Sequence, residues 1–419
     1  MKNQKHNFVI ILIANFIVAG STTMIMPFLS LYIESFGNFS ESYVQRWSGL
    51  IFGATFVTAF IMSPIWGRVA DKYGYKPIMI MNCFGIATSI FLMGYVHNVE
   101  QFFLLRLFMG ITTGFIPTSM AFISKHTPKN IAGKTLGTLQ MGSVGGTLFG
   151  PVIGGLLADQ VGFNFTFIFT AIAIIIAAFL IIFSVHEAEI IKKSKNMIYS
   201  RKNILWTIFH HRLIFNIMLV TTFIQIGSFS IQPLLSLYVS HLTTSEQVAL
   251  LAGITFSAAG VGNLLFSRYF GRLADQIGYE KVLMVLLFVC FIVIIPQAFV
   301  TSLWQLIGLR LLYGIFVGGL IPITTALIRR DAPLEIQGEV MGYNQSFRFL
   351  GNIIGPVMGG IISSLATISS VFYVTGLLFF ISAAMVYYIR KLPKQYMEDL
   401  LEEHSSSLES HGSVQNKTK

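Results

Sequence analysis

The chain has 419 residues, of which 54% are apolar and only 11% charged, and its mean hydropathy is +0.71. A soluble globular domain carries about a quarter charged residues, so that class is excluded. The formal charge of +10 is spread singly or in pairs between apolar segments, which argues against a nucleic-acid partner. Cys83 and Cys290 lie inside apolar stretches with no CxxC spacing, so they read as small core residues, and neither a disulfide, a metal site nor a cofactor is implied.

A helix that crosses a bilayer needs about 20 apolar residues. Hydropathy along the chain predicts twelve such spans, near 8–34, 47–69, 77–96, 102–124, 134–157, 164–184, 213–240, 248–270, 281–300, 303–328, 340–363 and 368–390. The first follows Lys2 and Lys5 like a secretory signal, but it is too long and lacks a small-x-small cleavage site, so it reads as a retained span. With a cytoplasmic N-terminus, Arg46 alone among the 28 Lys and Arg falls outside, and Arg106, Arg310 and Arg348 fall inside spans. All the others lie in the N-terminus, the even-numbered connections and the C-terminus, or within two residues of the span ends that flank them. That is the positive-inside distribution, and it predicts that both termini are cytoplasmic.

Residues 1–185 and 213–392 are then two six-helix bundles, divided by a basic cytoplasmic linker at 186–212. Residues 393–419, with Glu398, Asp399, Glu402, Glu403 and three consecutive serines, have little to bury and are expected to form a disordered cytoplasmic tail.

The second half repeats the first at an offset of about 205 residues. Pro27-Phe28-Leu29-Ser30-Leu31-Tyr32 answers Pro233-Leu234-Leu235-Ser236-Leu237-Tyr238. Gly67-Arg68-Val69-Ala70-Asp71 with Gly74 answers Gly271-Arg272-Leu273-Ala274-Asp275 with Gly278. Arg106 with Gly110 and Gly114 answers Arg310 with Gly314 and Gly318, and Gly146, Gly150, Pro151, Gly154 and Gly155 answer Gly351, Gly355, Pro356, Gly359 and Gly360. An even number of spans keeps the same membrane side, so six spans were duplicated in parallel. Two bundles facing one another leave a cavity that rocking exposes to each side in turn, the architecture of a carrier.

Each motif has a physical reading. Gly67-x-x-Ala70-Asp71-x-x-Gly74-x-Lys76 is placed on the short turn between spans 2 and 3: Gly67 permits close helix approach, and Asp71 can accept from a neighbouring helix N-terminus or an arginine. Together they suggest a conformational latch, repeated at Gly271, Asp275 and Gly278. In span 5, Gly142, Gly146, Gly150 and Gly154 form one i+4 stripe where another helix can pack at backbone distance, and Pro151 allows a bend. A buried arginine must be paired or face water, so Arg106 faces the cavity or snorkels outward. Arg348, where the first half has Ser143, forms with Asn344, Gln345 and Asn352 the most polar turn of any span. It either lines the cavity as an anion site or pairs with Asp71 or Glu339. Asn15, Thr112, Thr113, Phe115, Phe223, Gln225, Phe229, Gln232 and Tyr313 are the remaining cavity candidates, a mixture suited to an amphiphilic ligand held by stacking and a few hydrogen bonds.

The duplicated Gly-x-x-Ala-Asp-x-x-Gly motif, Arg106 and the Gly137 to Gly155 block resemble the signature motifs of the major facilitator superfamily, and the last is similar to the motif of its antiporters. The pattern, including Pro-x-x-Ser-x-Tyr at the end of span 1, looks like the twelve-span drug:proton antiporters of bacteria. The resemblance covers residues 8–390. It implies an all-α cell-membrane exporter that is no enzyme, that needs no obligate protein partner, and in which inward proton flow drives out hydrophobic, often cationic or zwitterionic small-molecule drugs, a basis of antibiotic resistance. In that reading Asp71 is the latch, Arg106 the proton-linked arginine, and Gly146, Gly150, Pro151, Gly154, Gly155, Gly355 and Pro356 the antiporter hinge. Many such exporters carry a carboxylate deep in a span. Here none lies centrally, and Glu34, at the outer end of span 1, is the nearest candidate for proton coupling. Two other readings stay open: a carrier of the same fold for a sugar or peptide, and a membrane sensor or scaffold.

Overall fold

The computed structural model describes residues 2–127, 129–187, 201–333 and 336–391. Among them, 12 helices are long and apolar enough to cross a membrane: span 1 His6–Glu34, span 2 Glu41–Tyr73, span 3 Tyr75–Met93, span 4 Val99–His126, span 5 Thr135–Val161, span 6 Phe163–Ser184, span 7 Arg212–Leu242, span 8 Val248–Ile277, span 9 Tyr279–Phe299, span 10 Leu303–Asp331, span 11 Gln337–Leu365 and span 12 Ile368–Arg390. Each coincides with a predicted segment, although spans 2 and 8 run well past their apolar stretches. A helix of 33 residues, as in span 2, is about 50 Å long, against about 30 Å of bilayer hydrocarbon. The polar ends that hydropathy trims off therefore stay helical in water. Ser40 starts span 2 as an N-cap, accepting from the Tyr43 N–H at 3.3 Å.

Three proline or glycine positions interrupt the regular helices. Span 1 tightens to a 3₁₀ turn at Met26–Phe28 and span 7 at Gln232–Leu234, each with its proline at the start of the turn. Span 4 breaks between Val99–Thr112 and Phe115–His126, where Gly114 takes φ −146° and ψ 0°. Pro117 cannot donate to the Thr113 carbonyl, which removes the bond that would carry the helix across the break.

Packing follows the duplication. In the first half span 1 packs on span 5, span 2 on span 4 and span 3 on span 6, and in the second half span 7 packs on span 11, span 8 on span 10 and span 9 on span 12. The two sets are joined chiefly by span 2 against span 11 and span 5 against span 8. Local hydrogen bonds repeat too. Tyr32 donates to the Met93 carbonyl at 2.7 Å and Tyr238 to the Gln297 carbonyl at 2.6 Å. The predicted linker at 186–212 contains a helix at Arg201–His210. Its centre and the predicted tail at 393–419 lie outside the described residues.

Candidate functional site: a cavity beneath a closed gate

Because the span count is even, His6 and Arg390 lie on one face, here called the terminal side, and the opposite face is the distal side. On the distal side the two bundles meet at backbone distance. A Cβ on Gly155 of span 5 would fall 2.2 Å from the Ala249 carbonyl oxygen of span 8, and one on Gly253 would fall 2.3 Å from that of Pro151. The pseudo-symmetric junction of spans 2 and 11 is as tight: a Cβ on Gly49 would fall 2.3 Å from the Pro356 carbonyl oxygen, and one on Gly360 would fall 2.7 Å from that of Gln45. Hydrogen bonds reinforce both the junctions and the axis. The Ser30 and Ser236 hydroxyls lie 2.5 Å apart, Ser257 donates to the Leu148 carbonyl at 2.6 Å, and the Asp159 carboxylate accepts from the Ala249 and Leu250 N–H groups at 3.2 and 2.7 Å. The Phe60 and Phe349 rings meet at 6.3 Å further down. At the opposite ends of spans 2, 5, 8 and 11, a Cβ on Gly67, Gly137, Gly271 or Gly342 would meet nothing within 4 Å. The gate is shut on the distal side and parted on the terminal side.

The latch motif sits at that parted end, with a geometry different from the expected one. Gly67 and Asp71 are helical residues of span 2, and Gly74 alone separates spans 2 and 3. Its φ of +104°, like the +102° of Gly278, is accessible to glycine and strained for other residues, which accounts for both motif glycines. Gly67 makes no close helix approach in this conformation. Asp71 accepts from the Tyr75 hydroxyl at 2.5 Å, in place of a helix N-terminus or an arginine; the second copy repeats the bond from Tyr279 to Asp275. Lys76 belongs to the first turn of span 3 and donates to the Ile182 carbonyl at 2.8 Å. The carboxylate of Glu187, a residue no motif flags, accepts from the Tyr75 and Lys76 N–H groups at 2.8 and 2.9 Å and so caps span 3 from the end of span 6.

The glycine stripe of the antiporter block packs inside its own bundle. Cβ atoms on Gly146, Gly150 and Gly154 would fall 2.2, 2.3 and 1.9 Å from carbonyl oxygens of Phe16, Gly20 and Met24 in span 1. Gly351, Gly355 and Gly359 face span 7 in the same way. Only the second glycine of each pair, Gly155 or Gly360, reaches the other bundle. Pro151 lies within an unbroken helix.

A cavity of about 210 Å³ opens within the first bundle, lined by Thr22 and Met26 of span 1, Phe52, Thr55 and Phe56 of span 2, and Arg106, Met109, Thr113 and Phe115 of span 4. The Phe229 ring of span 7 stacks edge-on against the lining ring of Phe56 at 5.4 Å, behind the cavity wall. Arg106 is 3% exposed; its guanidinium lies 5.4 Å from the Phe102 ring centre, and its Nε and Nη2 have no hydrogen-bond partner. This excludes outward snorkelling and leaves two buried nitrogens without a hydrogen-bond acceptor in this conformation. Arg310, 4% exposed, is unpartnered at the same two atoms in the second bundle.

Of the predicted cavity residues, Thr113 and Phe115 line this space and Phe229 lies behind its wall. Asn15 instead is fully buried, donating to Ser119 at 2.9 Å and accepting from Ser119 and Ser143 at 3.1 and 3.4 Å, a polar joint between spans 1, 4 and 5. Thr112 packs where a Cβ on Gly85 would meet it. In the second bundle Gln225 packs against Gly351, Gln232 donates to the Ser228 carbonyl, and Tyr313 meets the Ser228 hydroxyl at 3.2 Å. Phe223 is half-buried, and Asn344 is buried with its Oδ1 unpartnered. Arg348 donates to Gln345 at 3.1 Å, and no ion pair to Asp71 or Glu339 is formed among the described residues. Glu34 is exposed at the distal end of span 1, away from the cavity. Among the lining residues that sequence reasoning misses, Thr22 with Met26 and Phe52 with Phe56 each share an i+4 row; that spacing is legible, but which row faces the cavity is not.

A duplicated all-α membrane protein with a cavity beneath a one-sided closure has the form of a transporter. The profile of the Major Facilitator Superfamily matches residues 11–249 and 217–414, and the chain belongs to that family. Membership makes it a transporter rather than an enzyme. The chain is 54% identical over 383 residues, 91% of this chain and 98% of the other, to the uncharacterised MFS-type transporter YuxJ of Bacillus subtilis. It is 38% identical over 374 residues, 89% of this chain and 92% of the other, to the multidrug resistance protein MdtG of Salmonella dublin. Among solved structures, a bacterial homologue of the human lysosomal transporter Spinster superposes with a TM-score of 0.78 at 13% identity, covering 93% of this chain and 97% of that one, so the fold is shared.

Proposed function

We propose that this chain is a secondary active exporter of amphiphilic drug molecules, driven by protons moving inward through alternating access. The positive-inside distribution supports a cytoplasmic terminal side in a cell-membrane carrier; in that orientation the parted end faces the cell interior, ready to take up cargo. The observation that carries the reading is the pairing of a closed distal gate with an aromatic cavity lined by Arg106, whose Nε and Nη2 have no hydrogen-bond partner. A relative bearing a multidrug name at 38% identity supports drugs over other cargo.

Among the described residues, Arg106 is the one charged side chain lining the cavity. A rigid aromatic molecule with a carboxylate fits it: the rings stack on Phe52, Phe56 and Phe115, and the carboxylate takes the free Nε and Nη2 donors. Purely cationic cargo would face the arginine with no carboxylate to offset it, so the cavity favours zwitterions over simple cations. In this reading Arg106 is also the group whose partner changes over the proton cycle, while Glu34 stays in contact with the outer solution. Latch closure at Gly67 and Asp71 belongs to the opposite, outward-open state.

The test is efflux of norfloxacin and of ethidium from cells that express the protein, with and without a protonophore. Norfloxacin efflux that collapses with the protonophore and exceeds ethidium efflux is expected. Absence of efflux from well-inserted protein would overturn the reading in favour of a metabolite carrier.

A further inference from the structure

The distal closure is asymmetric where the sequence repeat predicts symmetry. At the junction of spans 5 and 8, Asp159 lies one turn beyond Gly155 and directs both carboxylate oxygens at the first turn of span 8, one to the Ala249 N–H at 3.2 Å and one to the Leu250 N–H at 2.7 Å. Span 8 is a helix of 30 residues beginning at Val248, so these N–H groups are among those left without a partner inside the helix. The carboxylate also meets the positive end of the helix dipole. At the mirror junction the repeat places Ser364, whose hydroxyl turns back to the Ile361 carbonyl of its own helix at 2.8 Å. Spans 11 and 2 therefore close on glycine contacts and the Phe60–Phe349 ring pair, with no carboxylate at this position to meet the start of span 2.

Among the described residues, a second contact between ionisable groups across the distal gate, His241 to Glu41, spans 3.7 Å, with side chains 52% and 56% exposed. Solvent screens such a pair to little net effect. Asp159 is half-buried against the junction, and among the described residues it forms no ion pair with a lysine or arginine. Span 8 must move off span 5 for the distal side to open, and that movement breaks both bonds at once.

We propose that Asp159 is a positioning residue of the transport cycle: its charge fastens span 8 to span 5 and holds the carrier closed on the distal side, and releasing it is a required step toward the outward-open state. The proposal rests on the alternating-access part of the reading above, and on neither the identity of the cargo nor the driving ion. A single charge-assisted contact at a helix N-terminus shifts a two-state balance by about three- to tenfold, enough to bias the resting state while leaving it reversible.

Spin labels on cysteines placed at His97 and Thr301, equivalent exposed positions on the distal connections of the two bundles, report the opening of this gate. Cys83 and Cys290 are replaced by alanine, and distances are recorded without cargo. Asp159→Asn, which keeps an acceptor and removes the charge, is expected to raise the ratio of long to short distances about three- to tenfold, and Asp159→Glu to restore the parent distribution. Asp159→Ser, which copies the mirror position, carries the same expectation and serves if the asparagine variant inserts poorly. Distances in Asp159→Asn or Asp159→Ser that match the parent would overturn the proposal, as would a shift that Asp159→Glu fails to reverse. Because no transport is measured, a failed drug assay would leave this result standing, and a failed distance assay would leave drug export untouched.

Discussion

Ser30 and Ser236 occupy equivalent positions of the two sequence repeats, 206 residues apart, and their hydroxyls meet at 2.5 Å where the two bundles touch on the distal side. A duplicated motif has thus become a contact with itself across the pseudo-two-fold axis. Both residues follow the proline turns that tighten spans 1 and 7, so the turn sets the direction of the last helical segment and brings the two serines together.

That contact predicts a trap. In protein whose Cys83 and Cys290 are replaced by alanine, Ser30→Cys with Ser236→Cys is expected to form a disulfide under mild oxidation and to stop transport, with activity returning on reduction. Electrophoretic mobility after cleavage between the bundles, measured alongside transport, checks it. Full transport by the oxidised, cross-linked protein would show that the distal side need not open.

The glycine pairs should separate two kinds of damage. Gly155→Ala places a methyl group 2.2 Å from the Ala249 carbonyl oxygen of the other bundle, whereas Gly154→Ala places one 1.9 Å from the Met24 carbonyl oxygen of the same bundle. Overpacking of this kind costs about 1–3 kcal/mol. For Gly155→Ala the cost falls on the distal-closed state alone, so distances between labels at His97 and Thr301 lengthen while the thermal midpoint holds. For Gly154→Ala it falls on the fold, and the midpoint drops.

The hydropathy pattern revealed the number of spans because a bilayer demands a long apolar run from each, and the offset of about 205 residues revealed the two bundles for the same reason. It did not reveal neighbours. The i+4 spacing of Gly146, Gly150 and Gly154 shows that they share a face, yet not that the face meets span 1 instead of the other bundle. Asn15 was read as a cavity residue because it is polar in a span, but its partners, Ser119 and Ser143, are distant in sequence. Asp159 belongs to no motif, and nothing near it in sequence marks its role, since its donors lie 90 and 91 residues further along the chain. The break at Gly114 and the single-residue turn at Gly74 depend on local backbone angles that hydropathy does not register.

Arg106→Gln tests the guanidinium as the cargo contact. A charged hydrogen bond contributes about 1.5–3 kcal/mol, so the variant is expected to raise the apparent KM for a carboxylate-bearing fluoroquinolone by tenfold or more, with a smaller effect on ethidium. Concentration-dependent efflux of both compounds measures the split. An equal change in apparent KM for the two would remove Arg106 from cargo recognition and leave it only its part in the proton cycle.

Glu187→Gln should weaken the fold while leaving cargo preference alone. The residue caps span 3 through two N–H groups at 2.8 and 2.9 Å, and loss of a cap and its dipole contact costs about 1 kcal/mol. A thermal midpoint lowered by a few degrees in detergent, with an unchanged norfloxacin to ethidium ratio, is the expected outcome.

The central claim is proton-driven export, and reconstituted vesicles test it most directly. Purified protein in proteoliposomes with an imposed pH gradient is loaded with norfloxacin, and drug and proton movements are followed together. Norfloxacin is expected to move against its own gradient, with protons moving the opposite way, and both to stop when a protonophore dissipates the pH difference. Norfloxacin flux that ignores the gradient, or none at all from correctly inserted protein, would contradict that claim.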